Sequence, residues 1–228
     1  MKKISNSFLA LLFIATSLTA FANPTILHLD PFDEISVSGN VNVYLESGNE
    51  ESVEISEKNH KISVEVSRGV LKIKRKKPLK IKEYKDEAID IKITYRKLRR
   101  IRGASGSTIS NSEAIKGDQL KLDFHSGAQG RMLVNVNDLD LSVSEGAQLK
   151  VKGKTVSQSA SVSTGAVLSA HRLDSDRTYV KANTGGNANV VANELLEAKA
   201  STGGNIDYEG NPRKVKIKDT LGGNVSGG

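Results

Sequence analysis

A chain of 228 residues with no Cys and no Trp forms no disulfide and no Cys-based metal site, so burial and backbone hydrogen bonding must hold it together. Its formal net charge of +7 is unevenly spread: residues 61–102 hold sixteen Lys or Arg against five Asp or Glu, leaving a mildly acidic remainder. The four histidines, His28, His60, His125 and His171, lack metal-ligand spacing, so neither a metal nor a cofactor is assigned.

The first residues read as an export signal. Lys2 and Lys3 precede an apolar run from Phe8 to Ala20, and Ala20-Phe21-Ala22 supplies the small-x-small step that signal peptidase requires. The run is shorter than the ~20 apolar residues of a membrane-spanning helix. No Cys follows it, which excludes a lipoprotein signal. Residues 1–22 are therefore expected to be removed, leaving a mature chain without a transmembrane segment, in the periplasm, on the outer cell surface or secreted.

Residues 23–102 form a strand-rich section. Ile35 and Val37, then Val41, Val43 and Leu45, alternate with polar residues on either side of Gly39-Asn40. Val53 with Ile55, Ile62 with Val64 and Val66, and Val70, Leu71 and Ile73 continue the series. Arg68-Gly69 is placed to make a tight hairpin turn. Ile89, Ile91, Ile93 and Tyr95 give the clearest strand.

From Gly103 the composition changes, and residues 103–228 hold seventeen of the twenty glycines. Dipeptides ending in Gly106, Gly127, Gly146, Gly165, Gly185, Gly203 and Gly222 recur at spacings of 21, 19, 19, 20, 18 and 19. Such a period signifies a solenoid. Each unit has an alternating run before the Gly, another after it, and a polar bend carrying one apolar residue such as Val156, Leu173 or Leu195. Stacking such units pairs every backbone group with the turn above and below. The expected fold is all-β: a right-handed, single-stranded parallel β-helix with coils of about 19 residues. The section 23–102 either joins that helix or caps it. Outward positions read as Ser, Thr, Asn and Lys.

The segment Phe32-Asp33-Glu34-Ile35-Ser36-Val37-Ser38-Gly39-Asn40-Val41-Asn42-Val43-Tyr44-Leu45, with the later steps Thr184–Asn187 and Thr202–Asn205, resembles the auto-transporter adhesin head family, the GIN domain. The resemblance covers nearly all of the mature chain. It implies a right-handed β-helix in an exported bacterial protein and brings no catalytic residues. A true auto-transporter would end in a membrane barrel, and this sequence, ending at Gly227-Gly228, is not expected to anchor or export itself in that way.

The sharpest local signal is basic. Lys72, Lys74, Arg75, Lys76, Lys77, Lys80 and Lys82, with Arg99, Arg100 and Arg102 in a second cluster, form a candidate site for an acidic glycan, lipopolysaccharide or another polyanion, with Tyr84 and Tyr95 offering stacking. The plainer account is a strand pair with Leu71, Ile73, Leu79 and Ile81 inward and Lys in water, where charge discourages edge pairing. The carboxylate pairs Asp138/Asp140 and Asp174/Asp176 suit Ca²⁺ binding or acid–base work in a carbohydrate-active β-helix enzyme. They fall in stretches read as polar bends, where Asp favours turn geometry. Ser107, Ser126 and Ser144 lack a nucleophile-elbow setting. The reading is a non-catalytic binding or adhesion module, its partner a glycan, a polyanion or a surface protein. The alternatives are the enzyme and a purely structural envelope protein. The thinly protected end at 222–228 points to homo-oligomer formation.

Overall fold

The computed structural model describes residues 25–56, 62–76 and 87–227, and every regular element among them is a β-strand. The expected export signal at residues 1–22, Tyr84, Leu79, Ile81, Lys77, Lys80 and Lys82 lie outside the described residues.

The repeat region folds into β10 (Ile115–Phe124), β11 (Gln129–Val143), β12 (Gln148–Val162), β13 (Val167–Ala182), β14 (Asn187–Val191), β15 (Leu195–Ser201), β16 (Asn205–Glu209), β17 (Lys214–Thr220) and β18 (Asn224–Gly227). Parallel pairing follows the spacing of the glycines. Ile115 lies opposite Val134, Gln129 opposite Gln148, Gln148 opposite Val167 and Asn205 opposite Asn224. The result is the expected parallel β-solenoid, about seven coils of about 19 residues.

All seven dipeptide steps are corners. Both residues of each have positive φ, as in Thr164 (51°) and Gly165 (67°). The N–H of Ala166 donates to Ser163 O at 3.1 Å, closing a type I′ turn, and the N–H of Gly165 donates to Thr184 O of the next coil at 3.1 Å. Turns therefore stack as the strands do. Gly meets the second position without a Cβ penalty.

Inward side chains form columns. One runs Leu71, Ile35, Ile101, Leu122, Leu141, Ala160, Val180 and Ala198, all buried. Burying each Leu or Ile contributes about 1.5–3 kcal/mol. Phe124, the large aromatic of this core, is seated by two glycines: a Cβ on Gly103 would reach its ring at 2.9 Å, and one on Gly130 at 2.8 Å. A polar inclusion sits farther along, where Gln158 Nε2 donates to Thr178 Oγ1 (2.9 Å) and Val191 O (3.0 Å).

The first coils do not stack in chain order, which the sequence did not reveal. Strand β2 (Glu34–Ser38) lies between β6 (Val70–Arg75) and β8 (Arg100–Ala104), so Glu34 faces Val70 on one side and Arg100 on the other. Strand β3 (Val41–Ser47) likewise lies between β7 (Ile89–Tyr95) and β9 (Thr108–Asn111). The chain makes one coil, builds the coil beneath it, and returns above it. Three strands finish that end in antiparallel fashion: β1 (Thr25–His28) on β4 (Ser52–Ile55), β4 on β7, and β5 (Ile62–Ser67) on β6. Arg68 and Gly69, both at positive φ, make the expected hairpin turn.

Two local expectations need correction. Asp138 and Asp140 lie within β11 and Asp174 and Asp176 within β13, rather than in polar bends, with burial alternation breaking at Asp138 and Asp176. Val156, expected as the apolar residue of its bend, faces solvent instead.

Candidate functional site

Register aligns outward residues into columns along the face built by β6, β2, β8, β10, β11, β12, β13, β15 and β17. One column runs Lys72, Ser36, Arg102, Asp123, Ser142, Ser161, Lys181, Lys199, Lys218. Beside it run Glu34, Arg100, Lys121, Asp140, Ser159, Tyr179, Glu197 and Lys216. Nine strands at about 4.8 Å make this face roughly 38 Å long. Two depressions of about 370 and 570 Å³ meet on it at Ser159.

The structure brings some of the sequence-derived cations together and engages others elsewhere. Lys72 and Arg102 share the first column, separated by Ser36. Lys74 is exposed on β6 and Lys76 just beyond it. Arg75 donates to the carbonyls of Asn40 (3.0 Å) and Glu87 (2.9 Å), holding chain segments together. The arginines of the second cluster meet carboxylates. Arg99 is hydrogen-bonded to Asp33 (3.1 Å from Nη2), Arg100 lies 3.5 Å from Glu34 and 3.6 Å from Asp123, and Arg102 lies 3.6 Å from Asp123. The Arg99 hydrogen bond holds the Asp33 carboxyl below its ordinary value. Tyr95, expected to offer stacking, is buried; desolvation, with the Glu113 charge, pushes its phenol up to about 12.

Sequence reading missed the far end of the face. Lys181, Lys199 and Lys218 occupy consecutive strands in register, all exposed, with no carboxylate within ion-pair distance among the described residues. Tyr179, 38% exposed, stands beside Lys181. Lys216 is paired with Glu197 at 3.8 Å. A signal was present: each of the three lysines precedes its turn glycine, Gly185, Gly203 or Gly222, by four residues.

The carboxylates have a changed setting too. Asp138 and Asp140 line the smaller depression with Arg99, Arg100 and Lys121, cations from neighbouring coils. Among the described residues no group of three or more His, Asp or Glu is placed to hold a metal ion, and no helix is long and apolar enough to cross a membrane.

A repeat-built rod with polar columns outside and an apolar interior is a β-solenoid. The chain belongs to the family "Putative auto-transporter adhesin, head GIN domain", whose profile matches residues 31–212. Solved structures share the fold. A protein of Bacteroides fragilis described as a "putative adhesin" superposes with a TM-score of 0.79 at 17% identity, over 90% of this chain and 96% of that one. Another so described, from Parabacteroides merdae, gives 0.69 at 19% identity, over 92% and 97%. A "Putative lipid binding protein" of Parabacteroides distasonis gives 0.64 at 18% identity, over 90% and 97%. No curated protein matches the chain.

Proposed function

We propose that this protein is an exported, non-catalytic adhesion module that lays an acidic glycan along the Lys72–Lys218 face. The observation that carries the reading is the unmatched lysine column. Like charges on adjacent strands repel, and Lys181, Lys199 and Lys218 tolerate that repulsion on three successive coils without a carboxylate between them. An anionic polymer bound along the rod relieves it. Tyr179 supplies an exposed ring against which a sugar packs, and Ser142, Ser159 and Ser161 supply hydroxyls between the two basic ends. Membership of an adhesin family and the export signal both accord with a surface or periplasmic role.

The test is a glycan array probed with the purified protein at two salt concentrations. Binding to acidic glycans that weakens with salt is expected, and the triple variant Lys181→Ala/Lys199→Ala/Lys218→Ala is expected to lose most of it. Equal binding by this variant removes the reading, as does an array on which no acidic glycan is bound. A second reading uses Asp138 and Asp140 beside Arg100 and Lys121. Cleavage of a bound glycan that disappears in Asp140→Asn would replace adhesion with catalysis.

A further inference from the structure

The earlier parts of β11, β12 and β13 carry a second cationic site, built differently from the lysine column. On β11 and β12 Arg131 lies directly opposite Lys150, and on β12 and β13 Lys152 lies directly opposite Arg172. Lys150 and Lys152 share one outward strand face, so the two pairs form a compact block. Adjacent strands about 4.8 Å apart and two-residue steps of about 6.8 Å make it roughly 10 Å across at the backbone. The block borders a depression of about 570 Å³, also lined by Ser110, Ser169 and His171.

Two features define this block. The first is the charge balance. Several cations elsewhere are matched across strands, among them Lys92 with Glu46 at 2.9 Å, Lys154 with Asp174 at 3.7 Å and Arg102 with Asp123 at 3.6 Å. Arg131, Lys150, Lys152 and Arg172 have no carboxylate within 4.0 Å among the described residues, although they sit directly against one another. The second is the backbone. The β12–β13 ladder shifts register between Lys150 and Lys152, where β13 spends an additional residue. The bulge leaves His171 and Arg172 exposed in succession, one of two breaks in the strand's alternation. Bulges re-aim side chains at the expense of ladder regularity, and here the re-aimed side chains turn toward the depression.

We propose that this block is a binding site for a phosphate monoester, with Arg131 and Arg172 as guanidinium forks on either side of Lys150 and Lys152. Charge density selects the ligand class. A single carboxylate would offset one of four adjacent positive charges, whereas a dianionic phosphate offsets two and presents oxygens to both forks. Ser169 Oγ, 3.0 Å from His171 Nδ1, adds a hydroxyl at the rim. The phosphate reaches the site on a soluble phosphosugar or on a lipid headgroup. The site is separate from the lysine column and does not depend on it.

Calorimetric titration of the purified protein with inorganic phosphate and with a phosphorylated hexose tests the site, alongside co-sedimentation with phosphatidylcholine vesicles with and without phosphatidic acid. Binding of a phosphate-bearing probe is expected, falling on the order of tenfold in Arg131→Ala or Arg172→Ala and disappearing in Lys150→Ala/Lys152→Ala. These positions are exposed, and unchanged circular dichroism melts will show that the variants fold. Binding of the phosphosugar identifies a soluble source; binding confined to phosphatidic acid vesicles identifies a lipid headgroup. Failure of every probe, or equal binding by wild type and variants, overturns the proposal. The variants are expected to keep acidic-glycan binding at the lysine column, so loss at one site is distinguishable from loss at the other.

Discussion

Asp33 shows how much a single side chain ties together. Its N–H donates to Gly69 O at 3.0 Å, its carbonyl accepts from Arg99 N at 2.7 Å, and its carboxylate takes the Arg99 guanidinium. It therefore links the first coil to the coils on both sides, at the point where stacking departs from chain order. The carboxyl is held below its ordinary value of 3.8, first by the Arg99 hydrogen bond, with burial opposing. A lowered folded-state value means that the contribution is fully present above the unfolded value and is lost as pH falls through the folded one. Asp33→Asn is expected to reduce the urea midpoint at neutral pH, with the gap to wild type closing as pH drops well below 3.8. A gap that persists unchanged in acid would assign the effect to the backbone instead.

At the scale of the element, the corner turns are where sequence and backbone disagree most. Thr164, Thr184 and Thr202 hold φ between 48° and 51°, a region that β-branched residues rarely enter. The site requires positive φ at both turn positions to match strand twist, and Asn-Gly answers that need better than Thr-Gly. Thr164→Asn is expected to raise stability by about 0.5–1 kcal/mol, on the scale of other compatible backbone substitutions. Gly165→Ala meets open space yet must adopt φ near 67°, and is expected to cost about 1–2 kcal/mol. Denaturant unfolding of both variants checks the pair. Equal effects would mean that packing rather than torsion governs the corner. The long period of the turns also explains why the lysine column escaped notice: each lysine is ordinary within its own strand, and only the stacking of coils sets three side by side.

At the scale of the whole molecule, the two ends of the rod differ. One is finished by the antiparallel strands β1, β4 and β5. At the other, β17 is exposed along its length, and Val215, Ile217 and Leu221 are 49, 44 and 82% exposed. Such an edge invites pairing with a second copy, while Lys214, Lys216 and Lys218 oppose it by like-charge repulsion. We propose that the rod associates end to end through this edge once salt screens the lysines. Light scattering is expected to show a monomer at low ionic strength and a growing dimer fraction at high ionic strength. A concentration-independent monomer at all salts would remove the proposal.

The sequence alone determined the repeat, its period, the turn positions and the parallel solenoid, because each rests on local rules: alternation fixes which face is buried, and positive φ fixes where Gly must stand. It also located the cations Lys72 and Arg102 that open the candidate face. Tertiary structure decided the rest. The insertion of the first coil between two later ones depends on pairings between strands far apart in the chain, for which no local signal exists. The neutralisation of Arg99, Arg100 and Arg102 by Asp33, Glu34 and Asp123, and the convergence of Arg131, Lys150, Lys152 and Arg172, were settled in the same way. Charge acts through space over a few ångströms, and in a solenoid the residue one coil away lies about 4.8 Å distant, closer than most neighbours in sequence.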